Sequence, residues 1–348
     1  MCIRDRYLAT FFAGFIEGIS GFGIPAAVVT PLLYTTGIPV VEAATCVMLG
    51  HAWAVPFASI GVPTTILAKL TNTSPFKTSV MTSAFMSFSL ATTIIIISKT
   101  LGAPTKKAIS YSILSFILYP IATVLGPAAG ATTGITLFTI SLVEALGVKN
   151  ALKTLNHLKP YLALTATLII AYLTGYKGLK TTALLIMITA VTTQTIRKNF
   201  SLKPLEKAVK IAWKPFLTIT LFASTAEIAG EYMYNLAETI SKTVGHYYFY
   251  TIPLIGAVGA YLTGSNTTSN ILFAKLQQEY ATITKTNKTI TLTLQNTGGA
   301  IGSVASPSKI AVAASTIKET NIEPKIFRQT IKKLPLILLP QIIIAIPQ

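Results

Sequence analysis

Hydrophobic positions along this chain come in long runs, and two of the runs are interrupted where they should be continuous. Judged against the roughly 20 apolar residues that a membrane-crossing helix needs, full-length segments fall at 78–98, 108–125, 128–146, 160–175, 180–196, 216–240 and 331–347. Two shorter pairs differ: 7–17 with 24–36, and 247–262 with 270–282. Their tips are Glu17-Gly-Ile-Ser-Gly-Phe-Gly-Ile-Pro25 and Thr263-Gly-Ser-Asn-Thr-Thr-Ser-Asn270. Irregular backbone at membrane depth survives only where protein or a water-filled cavity satisfies its N–H and C=O groups. The pattern therefore predicts re-entrant hairpins at 7–36 and 247–282. Each is followed by a helix broken by Gly and Pro, at 40–70 and 290–317, and then by a plain span.

The spacing repeats: Gly21 to Pro63 is 42 residues and Gly264 to Pro307 is 43. Paired breaks in corresponding halves point to the binding site of a secondary transporter. The expected fold is an all-α integral membrane protein, an inverted-repeat transporter with two re-entrant hairpins and two broken helices. Residues 7–98 form the first repeat, 99–214 scaffold spans with a basic loop, and 215–348 the second repeat, which opens on span 216–240.

Composition agrees with a lipid environment. The chain is 51% hydrophobic and 11% charged, with mean hydropathy +0.62, against about 25% charge in soluble domains. A net charge of +17 does not suggest nucleic acid, because the basic residues are scattered with no aromatic-interleaved patch. It suggests positive-inside loops. With the basic loop 197–214 in the cytoplasm, counting spans puts 99–107, 147–159 and 318–333 on the same side. Those four loops hold 17 of the 28 basic residues. The count opens the first hairpin to the cytoplasm and the second to the exterior, the inverted arrangement of a multi-pass plasma-membrane protein.

Other chemistry is thin. Cys2 and Cys46 suggest no bridge, and no Cys/His spacing suggests a metal. Glu227 and Glu231 stand at i, i+4 on one helix face, the one pair that suits an intramembrane hydrolase. No H-E-x-x-H accompanies them among the three histidines. Residues 1–6, Met-Cys-Ile-Arg-Asp-Arg, fit no signal peptide and read as a non-native start on a truncated frame. A fragment that folds without transporting is thus a further alternative.

Phe15-Ile-Glu-Gly-Ile-Ser-Gly-Phe-Gly-Ile-Pro25 resembles the F-x-E-G-x-x-G-F-G-x-P signature of the L-lactate permease family. Leu262-Thr-Gly-Ser-Asn-Thr-Thr-Ser-Asn-Ile-Leu-Phe273 is similar to its second signature, and Asn296-Thr-Gly-Gly with Ser306-Pro307 to its third. The resemblance covers roughly 7–70 and 247–346. It implies uptake of lactate, and also glycolate, with protons, without a cofactor. It also implies kinship with elevator-type transporters, which often dimerise through scaffold helices. Many relatives carry aspartate where this chain has Asn266, and lysine shortly before the Ser-Pro pair, where this chain has Gly302-Ser-Val.

A small monocarboxylate leaving water needs hydrogen-bond donors and positive charge. Half-helix N-termini supply both, and four are expected: after Gly21–Gly23, Gly61–Pro63, Asn266–Ser269 and Ser306–Pro307. Gly21 and Gly23 let backbone approach the anion. Ser20, Ser265, Thr267, Thr268 and Ser306 add hydroxyls; Asn266, Asn270 and Asn296 add amides of either polarity. Lys309 pairs the anion or snorkels to the surface. Glu17 is the expected proton-coupling residue, an intramembrane carboxylate being a functional-site hypothesis by default. Otherwise it caps the hairpin tip. His51 is the second proton-coupling candidate. Na⁺ is the rival coupling ion, since unwound carbonyls and Ser/Asn/Thr tips suit it.

Overall fold

The computed structural model describes residues 7–102, 104–176, 178–196, 201, 203–317 and 321–345. The expected non-native start at 1–6 and residues 197–200 of the basic loop lie outside them. Among the described residues all regular structure is helical. Three stretches, Ala52–Leu70, Pro75–Thr100 and Thr105–Asn156, are long and apolar enough to cross a membrane. The chain is a multi-pass helical bundle with several bent or joined helices.

The first helical pair is α1 (Ala13–Ser20), preceded by a π-helical turn at Leu8–Phe12, and α2 (Ile24–Thr35). Three left-handed residues in a row, Gly21 (φ 67), Phe22 (φ 52) and Gly23 (φ 78), turn the chain between them. Glycine carries this at no steric cost. α3 (Val40–Gly50) passes through a 3₁₀ turn (Ala52–Phe57) into α4 (Ala58–Leu70). A second left-handed run, Ser59, Ile60 and Gly61, breaks the start of α4. The buried Trp53 anchors that turn: its Nε1 donates to the Thr10 carbonyl, and its own carbonyl accepts from the Tyr119 hydroxyl at 2.6 Å.

α5 (Pro75–Thr100) and α6 (Thr105–Ala122) follow. A 3₁₀ turn (Thr123–Ala128) with Gly126 at φ 87 leads into α7 (Ala129–Asn156). α7 kinks at Gly147 and continues, so most of the expected loop 147–159 is helical. α8 (Lys159–Leu173) and α9 (Leu179–Ile196) are next. α10 (Lys203–Thr243) runs 41 residues. Here the expected basic loop gives way to helix from Lys203. Proline is tolerated in a first helical turn, and Glu206 pairs with Lys210 at i, i+4 over 2.6 Å, which supports a charged extension beyond the apolar segment.

The second pair is α11 (Tyr247–Thr263) and α12 (Asn266–Thr284), with a tip of only Gly264 and Ser265. Asn266, Thr267 and Thr268 therefore form the first turn of α12, where the sequence places the helix start after Ser269. α13 (Lys288–Ser303) breaks at Val304–Ser306 before α14 (Pro307–Ser315), and α15 (Glu323–Ile344) closes the bundle.

One corner is built twice. Thr71, Thr73 and Thr78 join hydroxyls at 3.1 and 3.3 Å between α4 and α5. Thr284, Thr286 and Thr291 do so at 3.1 and 3.5 Å between α12 and α13. Each corner has a left-handed residue (Asn72, Lys285) and a side-chain cap (Ser74, Asn287). Lys288 Nζ donates to the Thr71 carbonyl at 2.6 Å, tying the corners together. Lys333 Nζ donates to Thr100 Oγ1 at 3.0 Å, and Lys107 pairs with Glu144. The first two ties each join loops that the charge count assigns to one side. Glu144 also accepts from the Tyr111 hydroxyl at 2.8 Å.

α11 and α13 pack backbone against backbone through small residues. A Cβ on Gly298 would strike the Pro253 carbonyl, and one on Gly302 the Ala257 carbonyl. Gly298→Ala is expected to cost about 1–3 kcal/mol or more by overpacking. A lowered midpoint in thermal unfolding of the purified chain, with helical Gly230→Ala showing no penalty because nothing lies within 4 Å of its Cβ position, checks it.

Candidate functional site

The two tips meet. A cavity of about 230 Å³ is lined by Glu17, Gly21 and Phe22 from the first pair, by Gly264, Ser265, Asn266 and Thr267 from the second, and by Lys309. Val55, Ala58, Val62, Pro63 and Ile66 supply an apolar wall from the first broken helix, with Ser59 beside them, and Ile219 of α10 completes it. Drug-sized ligands occupy about 300–1,000 Å³, so this space suits a solute of a few heavy atoms. A second cavity adjoins it through Phe22, Ile219, Ser265 and Lys309, and adds Thr268 and Ser308.

Two half-helix starts line this space, those of α12 and α4, and a third, that of α14, reaches it through Lys309. α12 begins at Asn266, with Ser265 Oγ accepting from the Thr268 N–H at 3.2 Å. α14 begins at Pro307, with Ser306 Oγ accepting from the Lys309 N–H at 3.4 Å. The helical part of α4 resumes at Val62 and Pro63 after the left-handed run.

The cavity's charge is a buried pair. Lys309 Nζ lies 3.7 Å from Glu17 Oε1, with side chains 6% and 1% exposed. Lys309 does not snorkel; it also donates to Ser303 Oγ at 3.1 Å. Ser303 occupies the stretch where the family resemblance leads one to expect a lysine, so an ammonium reaches that place from the far side of the break. Glu17 Oε2 has no partner, and the Gly21 N–H at the tip bonds the Glu17 backbone carbonyl. The carboxylate is therefore turned to Lys309 rather than to the tip amides.

Behind Asn266 lies an amide cluster. Asn296 Oδ1 accepts from Asn266 Nδ2 at 2.9 Å and from Asn270 Nδ2 at 2.8 Å. Asn296 Nδ2 donates to Thr64 Oγ1 at 2.9 Å and Thr82 Oγ1 at 3.3 Å. Asn270 Nδ2 also reaches the Pro63 carbonyl at 3.3 Å, and Thr64 Oγ1 donates to the Pro56 carbonyl at 2.7 Å. The first broken helix is thus held by side chains of the second half.

Of the residues singled out in the sequence, Glu17, Gly21, Ser265, Asn266, Thr267 and Lys309 line the cavity, and Thr268 lines its neighbour. Asn270 and Asn296 stand one layer behind. Ser20 Oγ donates back to the Ile16 carbonyl at 2.6 Å, and Gly23 abuts Lys309. Ser306 caps α14. His51 is buried at the end of α3, its Nδ1 bonded to the Val47 carbonyl at 2.7 Å, and does not line the cavity. Glu227 and Glu231 are exposed on α10, and no group of three or more His, Cys, Asp or Glu could hold a metal among the described residues. Sequence reading did not single out Ser59, Thr64, Thr82 or Ser303. Ser59 Oγ donates to the Ser20 carbonyl at 2.9 Å, latching the first tip to the first broken helix; its place two residues before Gly61 was the available signal.

The L-lactate permease family model matches residues 6–127 and 131–347. An L-lactate permease of Halalkalibacterium halodurans is 22% identical over 383 residues, covering 92% of this chain and 73% of that protein. An L-lactate permease of Escherichia coli K12 is 36% identical over 98 residues, 28% of this chain and 18% of that protein. A glycolate permease of the same organism is 32% identical over 130 residues, 36% and 23% of the two chains. No solved structure matches.

Asn296→Ala would leave the Asn266 amide without its acceptor, the Asn270 amide with the Pro63 carbonyl alone, and Thr64 and Thr82 without their donor, each unsatisfied group costing about 1–3 kcal/mol. A destabilisation of roughly 2–5 kcal/mol is expected, measured by thermal unfolding. In a double-mutant cycle the Asn266→Ala and Asn296→Ala losses should add to less than their sum.

Proposed function

The chain belongs to the L-lactate permease family, and from that premise we propose that it carries a small monocarboxylate, lactate or glycolate, across the plasma membrane together with a proton. The observation that carries this reading is the convergence of both tips, two of the half-helix starts and one buried ammonium on a single small cavity. Lys309 takes the carboxylate. Ser265, Asn266 and Thr267 hold the rest of the solute, and Glu17 takes the proton.

On this reading the two helical pairs are re-entrant hairpins entering from opposite faces, and with the broken helices they form the moving unit of an alternating-access carrier. The spans between them are scaffold, on which a homodimer would form. The same-side ties Lys288–Thr71 and Lys333–Thr100 support that topology.

Sodium coupling is the second reading. It is favoured by three buried oxygens without partners, Asn266 Oδ1, Asn270 Oδ1 and Thr268 Oγ1, the kind of ligand Na⁺ prefers. Uptake of labelled L-lactate into proteoliposomes, with proton and sodium gradients imposed separately, separates the two. Accumulation is expected under the inward proton gradient alone. Glu17→Gln should abolish that accumulation and retain exchange of lactate for lactate. Accumulation driven by sodium alone would transfer the coupling to these oxygens.

A further inference from the structure

We propose that Lys309 serves two carboxylates that exclude one another, Glu17 in the empty cavity and the substrate in the loaded one, so that each anion bound requires one proton on Glu17. This rests on the monocarboxylate reading above.

The geometry supplies both partners to one ammonium. Lys309 Nζ has three donors; one is committed to Ser303 Oγ at 3.1 Å, and Glu17 Oε1 at 3.7 Å stands beyond hydrogen-bond distance. Donors therefore remain for a carboxylate that arrives through the cavity. Glu17 Oε2 is buried without a partner, and both residues face the same space. Lys309 is the one basic residue lining it among the described residues.

No other charged group is ion-paired with Glu17 among the described residues. Lys309 on α14 is the one cation within 4.0 Å of Glu17 among the described residues. Of the groups on elements packed against α1, Glu144 of α7 is paired with Lys107, and His51 at the end of α3 is bonded through Nδ1 to the Val47 carbonyl, its Nε2 buried without a partner. Tyr34 of α2, Glu42 of α3 and Lys69 of α4 form no ion pair with Glu17.

Counting charge then fixes the stoichiometry. The empty cavity with Glu17 ionised is neutral, and so is the loaded cavity with Glu17 protonated. A loaded cavity with Glu17 ionised carries an excess negative charge beside the apolar wall of Val55, Ala58, Val62 and Ile66. An empty cavity with Glu17 protonated leaves a lone buried ammonium. Burial disfavours both unbalanced states strongly. Only the states with proton and anion both absent or both present can cross, which is symport at one to one with no net charge moved.

Calorimetry of L-lactate binding to the purified full chain, in two buffers of different protonation enthalpy, tests this directly. At pH values where Glu17 is ionised, the wild type should take up one proton per lactate, and affinity should fall about tenfold per pH unit. Glu17→Gln should bind lactate with no proton uptake and a flat pH profile. Wild-type binding without proton uptake at any pH, or a retained slope in Glu17→Gln, overturns the exclusion while leaving the monocarboxylate reading intact. Absence of lactate binding at every pH overturns both. The wild-type proton count stands even where the variant does not fold.

Discussion

One ion pair sets the terms for the rest of the molecule. Glu17 belongs to the first helical pair and Lys309 to the last broken helix, and each is almost fully buried. Two unit charges about 4 Å apart gain roughly 4 kcal/mol at an effective dielectric constant near 20. Taking each ion out of water costs several kcal/mol. The attraction offsets part of that cost, and removing either partner would leave an uncompensated buried charge. The pair thus holds α14 against the first tip, where Gly23 sits beside the Lys309 side chain. It also leaves the cavity sensitive to any third charge that enters.

The same trade of polar groups between halves repairs the broken backbone. Left-handed turns at Ser59–Gly61 and Gly21–Gly23 free carbonyls and amides that a continuous helix would have satisfied. Ser59 donates to the Ser20 carbonyl, Asn270 to the Pro63 carbonyl, and Asn296 holds Thr64, which itself bonds Pro56. Ile60 at φ 61 is costly for a β-branched residue, on the order of 1–3 kcal/mol. It is tolerated because its side chain is buried against Leu164 and Leu168. Breaks and repairs therefore belong to one arrangement, in which each half would be left with unsatisfied backbone without the other.

The breaks were legible in the sequence, and the repairs were not, for a physical reason. Glycine and proline act on the backbone at their own position, so tips at 21–23 and 264–265 and breaks before Pro63 and Pro307 can be read locally. Apolar runs likewise predict the helices, apart from the charged starts of α10 and α15, which lie in expected loops, and the continuation of α7 past Gly147. A pair such as Glu17 with Lys309 joins residues 292 apart in sequence, and nothing local announces it. Both were singled out, but with separate roles. Thr82 and Ser303 are ordinary helix residues until the fold brings Asn296 and Lys309 to them. The threonine corners were missed because threonine throughout this chain mostly bonds its own helix carbonyls, which hides the two places where it does more.

The cavity divides its polar groups by rigidity, and that division bears on what it can recognise. Asn266 is fixed from behind by Asn296, which is itself fixed by Thr64 and Thr82, so its position is determined by four helices. Gly299 leaves the room that Asn266 occupies, since a Cβ there would strike Asn266 Oδ1. Lys309, by contrast, ends a flexible stem and stands at the edge of contact with Glu17. A preorganised amide on one side and an adjustable ammonium on the other suit a solute with a carboxylate at one end and a hydrogen-bonding group close by. The fixed side sets distance and the mobile side follows charge. A longer or purely apolar acid would meet the wall of Val55, Val62 and Ile66 without satisfying the first turn of α12, and unsatisfied buried polar groups are what make such a site selective.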